Sequence, residues 1–263
     1  MFRKISDCSA IDYGTSDRLM ILFSSKPAMR RDAFDYITFA QDMPHTKLYL
    51  RDGDSDFLYH KGIQGLTDSV AETVDFLRLF IKRMKPARTT FMGMSGGAYA
   101  AGLFSHLVGA DPATRVDDIH LQSAVTYAIP EVRDRLGGGE RFAGLFENLQ
   151  AFTTERGEDL ATLDLRAVIT ANPNSVGVTR LYYAEGNQID STHAQNLIGL
   201  PRVQVVAHQS HSHMMLGSTL MREGTLYRDV DTPVETLLNE TPSSAPVPSA
   251  VPANIGNMMQ RRA

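Results

Sequence analysis

Ser95 lies in the pattern of this sequence that most directly indicates chemistry. Residues 93–97 read GMSGG, a G-x-S-x-G pattern typical of a nucleophilic serine on a turn between a strand and a helix. On such a turn the hydroxyl projects above the sheet, and the flanking glycines leave space where a Cβ would clash. The backbone N–H of Gly96 then points to the same place and can stabilise an oxyanion. A glycine-rich turn that only allows close packing is the alternative interpretation.

A serine hydroxyl needs a general base, and the base needs an acid that orients it. Two polar segments that carry such groups follow two later predicted strands. Residues 185–190 (EGNQID) follow the strand 179–184, and residues 208–213 (HQSHSH) follow the strand 203–207. The chain order of serine, acid and histidine is therefore the order that this kind of serine turn requires. Loops that face a ligand gather at the carboxyl ends of parallel strands, so the three groups can meet there.

Short apolar runs alternate with helix-period segments, which is the pattern of a mostly parallel central sheet flanked by helices, an α/β fold. A clear helix spans about 69–84, where apolar residues recur at spacings of three and four and Ser69 with Glu72 predicts a capping box. A second helix should begin directly after Ser95. The predicted strands are Leu19–Ser24, Lys47–Leu50, Thr89–Met94, Asp118–Gln122, Thr179–Ala184 and Val203–Ala207.

Two stretches interrupt the alternation. From about 126 to 175 the sequence predicts amphipathic helical pieces around a glycine joint at 137–139. We expect either a lid-like helical insertion over a pocket or an extra helical layer that only packs. From 241 to 263 proline, serine and alanine prevail, and such a stretch cannot bury enough surface to offset its ordering entropy. We therefore expect one domain over 1–240 and a disordered tail over 241–263.

With these motifs the chain resembles the α/β-hydrolase family over about Asp17 to Asp229. The resemblance rests on the serine turn and on the ordered acid and histidine, rather than on a close match to one enzyme. It implies the α/β-hydrolase fold, with Ser95 as nucleophile, Asp190 as acid and a histidine of the 208–213 segment as general base.

The acid and the base each have an alternative. Asp190 is preferred to Glu185 because Glu185 would continue the preceding strand, although an aspartate in this place could also be a plain helix N-cap. His213 is preferred as base because the catalytic histidine of hydrolases that resemble this chain typically opens the last helix. His211 is the alternative base.

The second oxyanion donor is expected in the loop after the first parallel strand, where the family carries His-Gly. This chain has Ser24, Ser25 and Lys26 there. The donor is a backbone N–H, which different side chains can accompany, so Ser25 is the preferred candidate beside Gly96, followed by Lys26. An ordinary serine-rich turn is the alternative.

Composition and charge exclude several other classes of function. The 263 residues carry 26 Lys and Arg against 30 Asp and Glu, and the basic residues are scattered, so we expect no nucleic-acid partner. Cys8 is the only cysteine, which fits a reducing compartment. The first residues lack the apolar stretch of a secretory signal, and no uncharged apolar run reaches the roughly 18 residues of a membrane span. We therefore expect a cytoplasmic protein with no membrane partner.

A metal site is a rival interpretation of the histidine-rich segment. His208, His211 and His213 could converge on one ion, which would make the protein a metal-dependent hydrolase. Further ligands at a recognisable spacing are lacking, however. Neither a G-x-G-x-x-G after a strand nor a G-x-x-x-x-G-K-[ST] occurs, so nucleotide binding is not indicated. We expect neither a metal nor a cofactor.

The serine, acid and histidine together predict a serine hydrolase that acts on a small-molecule acyl substrate. The expected reaction is the cleavage of a carboxylic ester or thioester through an acyl-enzyme intermediate. An acyltransferase with the same three residues is the nearest alternative, since only the acceptor differs. A non-catalytic binding module on the same fold is the alternative from another functional class.

Overall fold

An eight-stranded, mostly parallel sheet runs through the protein, for which a computed structural model describes residues 2–25, 34–54, 57–137 and 142–240. The strand order is β1-β2-β4-β3-β5-β6-β7-β8. Strand β2 pairs antiparallel with β1 and β4, and the remaining neighbours pair in parallel. The strands are β1 (Phe2–Ser6), β2 (Ser9–Asp12), β3 (Arg18–Phe23), β4 (Thr46–Leu50), β5 (Arg88–Met94), β6 (Val116–Gln122), β7 (Val176–Ala184) and β8 (Val203–His208).

Helices cover both faces of this sheet. Alternate residues of β3 point to opposite faces, so that Ile21 and Phe23 belong to one buried cluster while Met20 and Leu22 belong to the other. The helices are α1 (Ile37–Ala40), α2 (Val70–Met84), α3 (Gly96–Gly109), α4 (Pro130–Leu136), α5 (Ala143–Glu155), α6 (Leu165–Ala171), α7 (Gln188–Leu197), α8 (His213–Arg222), α9 (Thr225–Asp231) and α10 (Val234–Asn239). A 3₁₀ helix over Leu160–Leu163 precedes α6.

The predicted α/β architecture is confirmed. The six predicted strands are present as β3 to β8, and the two predicted helices are present as α2 and α3. Ser69 caps α2 by accepting the N–H of Glu72 at 3.1 Å, and the Glu72 carboxylate accepts the N–H of Asp68 at 2.9 Å. The prediction did not include β1 and β2. Strand β1 is largely exposed and β2 has four residues, so neither shows a long apolar pattern.

The segment between β6 and β7 contains α4, α5, the 3₁₀ helix and α6, as helical pieces were predicted over 126–175. These helices are part of the core, since Phe146, Leu149 and Leu163 are fully buried. The packed layer is therefore present, while a function as a lid stays a prediction. Gly138 and Gly139 of the predicted joint lie outside the described residues, as does the predicted tail over 241–263. None of the helices described here is long and apolar enough to cross a membrane.

His60, His106 and His193 are buried in this core, and burial lowers the pKa of each imidazole to about 4. In an unfolded chain the histidine pKa is about 6.5, so between about pH 6.5 and 4 the unfolded chain binds more protons than the folded one. Each histidine should therefore lower the free energy of unfolding as the pH falls, by up to about 1.4 kcal/mol per pH unit. Urea unfolding at a series of pH values between 7 and 5 measures this loss.

His106→Gln is the matched control for this experiment, because glutamine cannot titrate but can still bond Ser175 and Thr179, the partners of the His106 ring. The variant should lose less stability between pH 7 and 5 than the parent protein does. Equal free energies of unfolding at pH 7 and pH 5 in the parent would contradict the assignment of neutral, buried histidines.

Candidate active site

Ser95 occupies a sharp turn between β5 and α3. Its φ of 54° and ψ of −120° lie in a region that non-glycine residues rarely adopt. Two backbone hydrogen bonds hold this turn in place. The Ser95 N–H donates to the Gln122 carbonyl at 2.9 Å, and the Ser95 carbonyl accepts the N–H of Ala98 in the first turn of α3. A strained backbone that its surroundings hold in place is typical of functional sites.

Close backbone contacts explain why glycines flank the serine. A Cβ on Gly93 would lie 2.1 Å from the Gly97 carbonyl oxygen, so the two ends of the motif face each other across the turn. A Cβ on Gly97 would lie 2.4 Å from the Phe23 oxygen and 2.6 Å from the Ser24 oxygen. The glycines therefore let α3 start directly against β5 and β3, which is the arrangement that the G-x-S-x-G spacing predicts.

His213 is the first residue of α8, directly after the loop that follows β8. Ser212 caps this helix by accepting the Met215 N–H at 3.3 Å, which orients the first turn. The Nε2 atom of His213 lies 3.0 Å from the Ser95 hydroxyl oxygen. The preferred candidate base and the candidate nucleophile are therefore within hydrogen-bonding distance.

Asp190 approaches the other side of the same imidazole. Its Oδ1 atom lies 2.6 Å from His213 Nδ1, and the residue is 2% exposed. Asn187, rather than Asp190, is the N-cap of α7, since the Asn187 side chain accepts the Asp190 N–H at 3.1 Å. The interpretation of Asp190 as a plain cap is therefore wrong. Glu185 extends the strand pairing through its N–H bond to the His208 carbonyl at 3.0 Å.

The hydrogen bonds determine which nitrogen of His213 carries the proton. A carboxylate only accepts, so Nδ1–H of His213 donates to Asp190 and the Nε2 lone pair faces the Ser95 hydroxyl. His193 lies one turn after Asp190 in α7, and burial lowers its pKa to about 4, which leaves it neutral near pH 7. The arrangement can remove a proton from Ser95 and stabilise the resulting imidazolium.

The other two histidines of the 208–213 segment point elsewhere. His211 packs against residues 185–190, the acid loop that follows β7 and contains Asp190. A Cβ on Gly186 in this loop would lie 1.9 Å from the His211 Nδ1 atom. His208 pairs with Glu223, with 2.9 Å between Nε2 and the carboxylate. Within the described ranges, no group of three or more His, Cys, Asp and Glu residues could hold a metal ion.

The two predicted oxyanion donors differ in their surroundings. Gly96 is the first residue of α3, where a backbone N–H has no partner within the helix and the helix dipole favours negative charge. Ser25 instead donates both its N–H, at 2.7 Å, and its hydroxyl, at 2.6 Å, to one oxygen of Asp35. In this arrangement the Ser25 N–H already has an acceptor. Lys26, the next candidate, lies outside the described residues.

Ser123 and Asp35 contact the candidate site residues but are not among the predicted ones. Ser123 follows β6 directly and donates its hydroxyl to Asp190 Oδ2 at 2.6 Å. The convergence of parallel strand ends could have found it, because the strand Asp118–Gln122 was predicted. Asp35 had no comparable signal, since it lies ten positions after Ser25 in a loop.

Many solved structures share this architecture, including the following three. A capsule O-acetyltransferase of Neisseria meningitidis serogroup A superposes with a TM-score of 0.56 at 12% identity, over 87% of this chain and 92% of its own. A hormone-sensitive lipase from a metagenome library has a TM-score of 0.57 at 12% identity, over 88% and 85%. A carboxyl esterase 2 from the fungus Tuber melanosporum has a TM-score of 0.54 at 12% identity, over 84% and 82%.

The chain has the α/β-hydrolase fold. At these identities the likeness concerns the fold, and the resemblance inferred from the serine turn is confirmed at that level. No protein-family model matches the sequence, and no curated protein matches it significantly. The chemistry of this particular α/β-hydrolase fold protein must therefore be argued from its own site.

Replacing Gly97 tests the close approach at the serine turn. Gly97→Ala should destabilise the protein by about 1–3 kcal/mol or more, because the added Cβ meets two backbone carbonyls that cannot move aside easily. Gly144→Ala is the control: it lies in α5 with nothing within 4 Å of an added Cβ, and it should be neutral or stabilising by up to about 1 kcal/mol. Chemical unfolding of both variants decides, and equal effects would argue against the proposed constraint.

The two candidate bases can be separated by the reactivity of Ser95. His213→Ala should slow the labelling of Ser95 by a fluorophosphonate by about 10²-fold or more, because the base that takes the serine proton is lost. His211→Ala should keep a rate close to that of the parent. Mass spectrometry of the labelled protein over time gives both rates, and the opposite order would assign the base to His211.

Proposed function

We propose that the protein is a serine hydrolase that cleaves a carboxylic ester or thioester through an acyl-enzyme intermediate. The observation that supports this most is the hydrogen-bonded sequence Ser95–His213–Asp190, with distances of 3.0 and 2.6 Å. It stands at the carboxyl ends of β5, β7 and β8, where sites of open α/β sheets form.

In the first half of the reaction, the Ser95 oxygen attacks the acyl carbonyl while His213 Nε2 takes the serine proton. Asp190 stabilises the imidazolium through the Nδ1–H bond. The carbonyl oxygen becomes an oxyanion, which the Gly96 N–H and the amino end of α3 stabilise. When the intermediate collapses, the imidazolium gives its proton to the departing alcohol or thiol, and the acyl group stays on Ser95 as an ester.

In the second half, water takes the place of the departed alcohol or thiol. His213 removes a proton from this water as it attacks the acyl-Ser95 carbonyl, and the same oxyanion contacts are used again. Collapse returns the proton to the Ser95 oxygen and releases the carboxylic acid. Ser25 is the candidate for the second oxyanion donor, and this role requires that its N–H exchange Asp35 for the substrate oxygen.

The surroundings of the candidate nucleophile favour an apolar acyl or alkyl group. Met214 and Met215 follow the candidate base and are 63% and 53% exposed. Leu58 lies at the serine turn, 3.0 Å from where a Cβ on Gly96 would be. Methionine adapts its shape to varied apolar partners, so these exposed side chains next to the candidate base suit acyl groups that differ in shape.

Acyl transfer is the second candidate function, and the likeness to an O-acetyltransferase over 92% of that enzyme favours it. A structure of the same acetyltransferase contains CoA. In transfer, the acyl-Ser95 carbonyl is attacked by an alcohol instead of water, and His213 takes the alcohol proton. The residues and the first half of the reaction are the same.

Ser95→Ala tests the proposed mechanism. Turnover of a short-chain chromogenic ester should fall at least about 10³-fold, because the acyl-enzyme can no longer form. Ser218→Ala, which removes an exposed serine of α8, should keep the parent rate. Full activity of Ser95→Ala would refute the mechanism, and a parent protein that a fluorophosphonate does not label at Ser95 would favour a binding module.

The same assay separates hydrolysis from transfer when alcohols compete with water. A hydrolase releases the acid as the main product at all practical alcohol concentrations. A transferase converts most of the acyl-enzyme into the new ester at alcohol concentrations far below that of water.

A further inference from the structure

Strand β6 lies between the strands that precede the candidate nucleophile and the candidate acid. None of Ser95, His213 and Asp190 belongs to β6 or to the residues directly after it. The sheet order places β6 between β5 and β7. The last residue of β6, Gln122, accepts the Ser95 N–H through its carbonyl at 2.9 Å. The next residue, Ser123, donates its hydroxyl to Asp190 Oδ2 at 2.6 Å. The end of β6 therefore contacts both the nucleophile and the acid.

The direction of the Ser123 hydrogen bond follows from the acceptors around it. Its hydroxyl has one proton, and the acceptors within reach are Asp190 Oδ2 at 2.6 Å and the His213 carbonyl at 3.4 Å. The shorter contact is to a carboxylate, the stronger acceptor. Asp190 Oδ2 also receives the Ala184 N–H at 3.3 Å. One carboxylate oxygen thus faces the candidate base while the other is held by Ser123 and the backbone.

The backbone holds Ser123 firmly in this place. Its φ is 44°, in the left-handed region that non-glycine residues rarely adopt, and it is 1% exposed. Its N–H donates to the Tyr182 carbonyl at 2.9 Å, which ties the turn to β7, the strand before the acid loop. The unusual conformation aims the hydroxyl at Asp190.

We propose that Ser123 is a positioning residue of the reaction: its hydroxyl fixes the rotation of the Asp190 carboxylate so that Oδ1 faces His213. The proposal rests on the proposed function. Being buried behind the acid, Ser123 acts through Asp190 rather than on the substrate. Its contribution should therefore appear in kcat, with little change in KM.

Removing this hydroxyl lets the carboxylate rotate away from His213, so fewer molecules hold the base in the orientation that attack requires. The Ser95 proton is then taken less often, which lowers kcat. Ser123 does not touch the substrate, so KM should change little.

Ser123→Ala and Ser123→Gly test the proposal in the full chain, with kcat and KM measured on the chromogenic ester. Both should lower kcat by about 10- to 100-fold, the range for loss of one hydrogen bond to a charged group, and both should leave KM close to that of the parent. The glycine variant suits the left-handed backbone, so it provides folded protein if the alanine variant unfolds. Ser105→Ala is the matched control, because it removes a buried serine hydroxyl that donates to the Gly102 carbonyl instead.

The outcomes separate this inference from the proposed function. An active parent whose Ser123 variants keep its kcat would overturn the positioning role alone. Equal losses of kcat in Ser105→Ala and Ser123→Ala would also overturn it, since a general packing defect would then explain both. A parent protein whose Ser95 neither reacts with a fluorophosphonate nor supports turnover would overturn the function and the inference together.

Discussion

Gly97 lets α3 begin so close to β3 that a Cβ at this position would lie 2.4 Å from the Phe23 oxygen. This close approach determines where Ser95 stands, because the turn before the helix has no room to relax. The other contacts of the site depend on it. The Ser95 N–H meets the end of β6, and the hydroxyl oxygen meets His213 at 3.0 Å. The residues of the site come from the ends of four strands, and the backbone contact between Gly97 and Phe23 positions the first of them, Ser95.

The site is organised by the order of the strands rather than by nearness in sequence. Strands β5 to β8 are neighbours in the sheet, and the residues after their ends hydrogen-bond to one another. The same strand order supplies the hydrogen-bond donors around the Asp190 carboxylate. It is almost fully buried, and a buried carboxylate is tolerated when its oxygens are satisfied. His213, Ser123 and the Ala184 N–H supply these bonds, so both carboxylate oxygens have donors although the residue is buried.

The sequence predicted the elements with strong periodic patterns and the residues on standard turns. Strands β3 to β8 are short apolar runs, and α2 has one apolar face with a capping serine, so propensity and packing agree there. Strand β1 could not be predicted in this way because it is an exposed edge strand. The contact between Asp35 and Ser25 joins residues ten positions apart, and no local pattern encodes it. The end of the predicted strand Asp118–Gln122 places Ser123 at the same edge of the sheet as the other site residues, but its contact with Asp190 depends on the strand order, which the pattern of elements does not determine.

The helical segment between β6 and β7 is joined to the body of the protein by its largest side chains. The Tyr127 ring lies 4.4 Å from the His193 ring of α7, and the Phe152 ring lies 4.9 Å from that of Phe57. Leu165 of α6 packs where a Cβ on Gly102 of α3 would lie. The segment therefore cannot be replaced independently of the rest of the protein. A chimaera that takes residues 123–175 from another protein of the same fold would leave a cavity beside α3. The facing surface of α3 would have to be exchanged together with the segment. Diversification of this region has to proceed by paired changes across the interface.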